Sequence, residues 1–227
     1  MKSDRERWKR ELARERKKKK SKRREAAFAF HAVIIEQASD EIGQKALEES
    51  RNIMQVNGKE YSTVRLLGKG KGGYSYLASD GQREYVLKQI HHEPCDYYQF
   101  GNKMEAEMND YRRLKEAGIR MPELLEADIR EERILKEYIE GKTIYELVRL
   151  DEMKPEYLSQ VRQMCERLYA VGLNIDYFPT NFVVQEKELH YIDYECNEYM
   201  EKWNFENWGI RYWSKTEEFL QYVRKHE

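Results

Sequence analysis

Residues 52–90 read NIMQVNGKEYSTVRLLGKGKGGYSYLASDGQREYVLKQI, and no other stretch restricts the fold as much. Asn57-Gly58 lies between two short β-prone runs. A two-residue type I′ turn needs positive φ at both positions, and Asn-Gly supplies it at little cost. SDGQ (79–82) marks a second turn, between YSYLA and REYVLKQI. Strands joined this tightly pair antiparallel. An antiparallel meander is therefore expected over this part of the chain.

Helical periodicity takes over further on. KMEAEMNDYRRLKEAG (103–118) sets Met104, Met108, Tyr111 and Leu114 on one face, and Gly118 is its stop. PELLEADIREERILKEYIEG reads as two strands around a charged turn. TIYELVRL and PEYLSQVRQMCERLYAVG read as helices, and NFVVQEKELHYIDYE as another hairpin. Strands with one helix, followed by mostly helices, predict an α+β fold in two lobes, 52–139 and 140–227. A chain of 227 residues is long enough for a real core.

The formal charge of −1 hides an asymmetry. Residues 1–24 carry 14 Lys and Arg against 4 acidic residues, a local +10, while the remainder holds 27 basic and 38 acidic residues, or −11. Residues 1–25 offer only Trp8 and Leu12 to bury, which predicts a disordered basic tail. Such an arm suits an anionic partner, whether nucleic acid, the ribosome or a membrane surface. It could equally fold back on the acidic body. AAFAFHAVII (26–35) is too short to span a bilayer, which takes roughly 20 apolar residues. It reads instead as the buried face of a helix over 26–51. Cys95, Cys165 and Cys196 are odd in number and lack metal-ligand spacing, as expected of reduced thiols in a cytoplasmic protein.

Several chemistry-bearing residues fall in a suggestive order. GKGKGG fits GxGxxG through Gly68, Gly70 and Gly73, but strands flank it on both sides, whereas the dinucleotide-binding form opens a helix. A glycine turn between antiparallel strands instead lets backbone N–H groups approach phosphates. Lys88 sits inside the apolar run YVLKQI, where an unpaired buried ammonium would be costly. The 103–118 helix offers Glu105 and Glu107, about 200° apart on the helical wheel, so only one can face that lysine. Glu107 is the expected partner. GLNIDYFPTNFVV then places Asp176 five residues before Asn181, and Asp193 ends the run LHYID. Asp, Pro and Asn are also ordinary turn residues. Together with the lysine, however, the set supplies a base in Asp176 and two hard oxygen donors, Asn181 and Asp193, suited to Mg2+.

These motifs, GKGKGG, the lysine of YVLK, a helix glutamate, NIDYFPTN and IDYE, resemble the nucleotide-binding and catalytic set of the protein-kinase-like superfamily over residues 61–195. EAGIRMPELL and the bare IDYE are similar to small atypical bacterial Ser/Thr kinases of RIO-like type and to aminoglycoside or choline phosphotransferases. The resemblance implies a two-lobed kinase-like fold with an antiparallel sheet in the N-lobe and a reduced helical C-lobe. ATP would bind at a hinge in LKEYIEG, where main-chain groups of Glu137 and Ile139 meet adenine. It also implies Gly68, Gly70, Gly73 and Lys88 on the phosphates, with Lys88 held by Glu107. Mg2+ would sit on Asn181 and Asp193, with Asp176 as base towards the acceptor hydroxyl.

The pattern departs from that family in places. Asn174 stands where the loop usually begins with His, Asp193-Tyr194-Glu195 lacks the usual glycine, and Phe178 replaces a lysine common in Ser/Thr protein kinases. No long activation loop follows. The aromatic residues of 191–213 read as the compact core of a reduced lobe. The acceptor is expected to be a protein Ser or Thr, with a small-molecule hydroxyl as the alternative. A catalytically silent ATP-binding scaffold is a third reading.

If the basic arm recruits a polyanion, deleting residues 1–24 will remove most affinity for single-stranded RNA and flatten its salt dependence. Titrations at low and moderate salt measure both.

Overall fold

The computed structural model describes residues 52–70, 72–93 and 102–226. The basic arm of 1–25, the helix expected over 26–51 and Cys95 lie outside them. The fold is α+β. Six antiparallel strands, β1 (Ile53–Val56), β2 (Lys59–Lys69), β3 (Gly73–Ser79), β4 (Glu84–Ile90), β5 (Leu124–Asp128) and β6 (Arg133–Glu137), form one sheet in the order β1-β2-β3-β4-β6-β5. Asn57 and Gly58 have φ of 49° and 80°, as the hairpin requires, and β1 pairs with β2 in matching register.

The sheet curls until its first and last strands meet. The Asn57 N–H donates to Asp128 Oδ2 at 2.7 Å, and Arg133 Nη1 donates to the Gln55 carbonyl at 2.7 Å. Two irregularities of register between β2 and β3, near Val64 and Leu67, add to that twist. Val56, Tyr61, Ala78, Leu87 and Leu135 fill the inside of the curl.

Helix α1 (Lys103–Glu116) connects β4 to β5 and packs against the sheet. Asn102 caps its start by accepting from the Glu105 N–H at 3.1 Å, and Gly118, at φ 72°, turns the chain away from its end. Met104 and Leu114 are buried, while Met108 and Tyr111 on the same face are partly covered. Met104 shares a cluster with Ile90, Ile134 and Tyr194, the last of which comes from far along the chain.

The remaining residues form α2 (Ile144–Arg149), α3 (Pro155–Ala170) and α4 (Glu217–His226) with short strands between them. Thr143 and Glu146 close a capping box at α2, and Pro155 starts α3. Tyr157, Val161, Met164, Cys165 and Leu168 make the buried stripe of α3. β7 (Lys142–Thr143), β9 (Phe182–Gln185) and β10 (Glu188–Tyr191) form a three-stranded sheet, and β8 (Leu173–Ile175) pairs with β11 (Cys196–Glu198). β7, β8, β11 and α4 have no counterpart in the sequence reading. Phe205, Trp213 and Phe219 are fully buried in the core of this half, as the aromatic density of 191–213 leads one to expect for the first two. Cys165 and Cys196 are free, buried thiols, and burial pushes both up, to about 11 and about 12. Among the described residues no helix is long and apolar enough to cross a membrane.

Gly73 and Gly68 differ sharply in what surrounds them. A Cβ on Gly73 would lie 2.4 Å from the Gln89 carbonyl oxygen of the neighbouring strand, whereas one on Gly68 would meet nothing within 4 Å. Gly73→Ala is therefore expected to destabilise the chain by about 2 kcal/mol or more, and Gly68→Ala by less than about 1 kcal/mol. Denaturant unfolding of the two variants checks the contrast.

Candidate active site

Lys88 lies on β4 with its side chain turned towards α1, and it meets both carboxylate oxygens of Glu107 at 2.7 Å. Asp193 Oδ1 is 3.9 Å from the same ammonium. Burial by itself would lower the Lys88 pKa, but Glu107, Asp193 and Glu195 together outweigh it and hold the group above its ordinary value. Lys88 is thus a cation at any physiological pH. Glu105, by contrast, is exposed in the first turn of α1.

Hairpin register explains how Asn181 and Asp193 come together. Glu186 and Lys187 form a two-residue turn, both at positive φ, between β9 and β10. Counting back from it pairs Phe182 with Tyr191, and the Ile192 N–H then donates to the Asn181 carbonyl at 2.9 Å. The β8–β11 pair does the same for Asp176. Ile175 opposes Cys196, so the next residues, Asp176 and Glu195, emerge from the same end. Asp193 sits on the short link between these two ribbons.

Asp176 and Asn181 are both buried, in a tight turn around Pro179–Asn181. Asp176 Oδ1 accepts the Phe178 N–H at 3.0 Å, and Asn181 Nδ2 donates to the Asp176 carbonyl at 3.3 Å. That bond engages the amide nitrogen, so the amide oxygen is the Asn181 atom a cation would use. Tyr191, fully buried, donates to the Glu195 carbonyl at 2.9 Å. Its hydroxyl is pushed far up, first by burial and then by the negative charge of Asp193, Asp176 and Glu195. Among the described residues no three His, Cys, Asp or Glu side chains close on one point. Protein donors for a divalent ion would thus be the Asp193 carboxylate and the Asn181 amide. Mg2+ suits such a set, because it keeps water and phosphate oxygens in its other positions.

The glycines divide by role. Gly68 is part of β2, opposite Ser75. Gly70 forms the tip, donating to the Gly73 carbonyl at 2.9 Å and accepting from the His91 ring at 3.0 Å. Gly73 is demanded by the close approach of β4. Gly72, outside the GxGxxG triplet, lies over the lysine: a Cβ there would be 3.7 Å from Lys88 Nζ. Of the expected hinge residues, Glu137 ends β6 and already donates its N–H to the Glu123 carbonyl at 2.9 Å. Ile139 is buried just beyond it. Asn174, in place of the usual His, is buried and donates to the Met200 carbonyl at 3.0 Å, a scaffolding bond.

Lys136 is a residue the sequence reading missed. It is buried on β6, donates to the Ile192 carbonyl at 2.7 Å and lies 4.6 Å from the centre of the Tyr194 ring. It therefore grips the chain on both sides of Asp193. Tyr194 in turn donates to the Pro122 carbonyl at 2.8 Å. A lysine inside the apolar strand RILKE carries the same signal that singled out Lys88.

Matching the chain against protein-family models finds no family, and no curated protein matches it.

Burial, and then the neighbouring Lys88 charge, push Lys136 down to about 8, against 10.5 for an ordinary lysine. Between those values the unfolded chain holds a proton that the folded chain has lost, so this group's contribution to stability rises with pH. Lys136→Met should abolish that rise. Denaturant unfolding of both proteins near pH 8 and pH 10.5 measures it, and equal slopes would contradict the burial of the ammonium.

Proposed function

We propose that the chain is an ATP- and Mg2+-dependent phosphotransferase of two-lobed, protein-kinase-like architecture, with a protein Ser or Thr hydroxyl as acceptor. The observation that carries this reading is the convergence of Lys88, Glu107 and Asp193 from β4, α1 and the β10–β11 link. A permanently charged lysine, braced on one side and facing a carboxylate on the other, is suited to a polyphosphate whose metal rests on that carboxylate.

In this reading Lys88 contacts the α- and β-phosphates and Glu107 keeps the ammonium from collapsing onto Asp193. The turn around Gly70 and Gly72 covers the phosphates through its main chain. Glu137 and Ile139 offer main-chain groups to the adenine. Bound Mg2+, held by Asp193 and Asn181, would neutralise charge on the β- and γ-phosphates. Asp176 orients the acceptor hydroxyl and takes its proton as the oxygen–phosphorus bond forms and the bond to the β-phosphate oxygen breaks, releasing ADP. Its side chain is already fixed by the Phe178 N–H, so little ordering remains for the transition state. Transfer of this kind needs positioning and charge neutralisation more than covalent help.

A second reading, an ATP-binding scaffold without transfer, draws on position 178. Phe178 turns towards Tyr212 and Tyr222, with ring centres 5.2 and 4.9 Å away, so that position supplies no cation to the γ-phosphate.

Incubating the protein with γ-labelled ATP, Mg2+ and a cell lysate, then separating proteins from small molecules, distinguishes the readings. Transfer is expected in the wild type and absent in Asp193→Asn. Asp176→Asn is expected to slow it by about 10²- to 10⁴-fold while an ATP analogue still binds. Equal transfer in all three proteins would remove the site assignment, and ATP binding with no transfer would favour the scaffold.

A further inference from the structure

Beside the Asp176 turn the last residues of the chain enclose a cleft of about 800 Å³. Its walls are aromatic. Phe178 packs edge-on against Tyr222 and tilted against Tyr212, Trp208 lies 5.5 Å from Tyr212, and Trp203 lies 6.1 Å from Trp208. Phe178 belongs to the same turn as Asp176, two residues on, and its N–H donates to Asp176 Oδ1 at 3.0 Å.

Resting on the phosphotransferase reading, we propose that this cleft is the acceptor site and that it takes a protein segment whose large aromatic or apolar side chain lies close in sequence to the Ser or Thr that receives phosphate. Two features favour a protein over a small polar substrate. Small polar ligands are held by polar groups converging inside a pocket. Here the buried and half-buried lining is aromatic apart from His226, while Glu201, Lys202, Arg211, Glu218 and Lys225 are exposed. That pattern suits a bulky anchor from a larger partner, ringed by solvated charge. Second, the cations at the mouth, Lys202, Arg211 and Lys225, outnumber Glu201 and Glu218, which complements an acidic residue beside the anchor. Phe178 lines the cleft while its N–H bonds the Asp176 carboxylate at 3.0 Å, so base and wall share one turn and anchor and hydroxyl can be near neighbours in one strand.

The full-length protein, MgATP and a positional peptide library test this, with one Ser or Thr fixed and each neighbouring position varied in turn. Trp, Phe or Leu at one position is expected to raise kcat/KM about tenfold or more over Ala, mainly through KM. Tyr222→Ala is expected to erase that preference. Gln221→Trp, which fills the mouth from an exposed helical position without opening a cavity, is expected to do the same, so a folding defect in the first variant does not decide the outcome. No preference for a bulky residue, or one that survives both substitutions, overturns the inference while leaving the phosphotransferase in place. Label passing only to small molecules of a lysate overturns it as well. A wild-type protein that transfers phosphate to nothing removes the phosphotransferase reading and this inference together.

Discussion

An ammonium inside a protein must be paired, and in this chain that requirement ties the molecule together. Lys88 comes from the sheet, Glu107 from the helix behind it and Asp193 from a link more than a hundred residues further along. Leaving such a group without its partner typically costs about 3–5 kcal/mol. The sheet, α1 and the β10–β11 link are therefore held in one arrangement by the pairing itself. The same arrangement leaves a cation and a carboxylate side by side, and the proposed phosphate site rests on that pair.

The second support is the way Asp193 is held from outside. Lys136 grips the Ile192 carbonyl and lies on the face of Tyr194, and Tyr194 fills the cluster under α1. Buried contacts on both sides leave the short segment between them little freedom. The Asp176 turn is braced from the opposite side. Trp213 donates its indole N–H to the Tyr177 carbonyl at 2.8 Å, and Gly209 passes so close to Tyr177 that a Cβ would lie 2.5 Å from the tyrosine Cβ. The aromatic tail of the chain is thus a buttress for the turn and, on its other side, the wall of the cleft.

Local features were the most legible. Asn57-Gly58, the SDGQ turn, the α1 periodicity and the hairpin around 186–187 are each set by residues close together in sequence, because a turn's φ values and a helix's face are local properties. Glu107 could be preferred over Glu105 by considering Lys88, and the structure pairs it with that lysine. Lys136 carried a visible signal that went unread. Gly72 was hidden by a motif that counts glycines at other positions. β8 and β11 are three residues each, too short for any periodicity, and exist only because they pair with one another. The cleft could not be read at all, since Phe178 and Tyr222 meet across 44 residues.

By itself the sequence determined the antiparallel meander, the main helices, the hairpin that follows Asn181 and the set of charged and amide side chains from which the candidate site is built. Each of these follows from dihedral preferences or from side-chain spacing along a single element. Tertiary structure alone decided that the Asp176–Asn181 turn pairs with the segment carrying Asp193, that Lys136 holds the segment between β10 and β11, and that the aromatic end of the chain leaves a cleft beside the Asp176 turn. Those depend on which distant segments pair, and pairing is settled by burial of apolar surface and by the need to satisfy every charge that burial encloses.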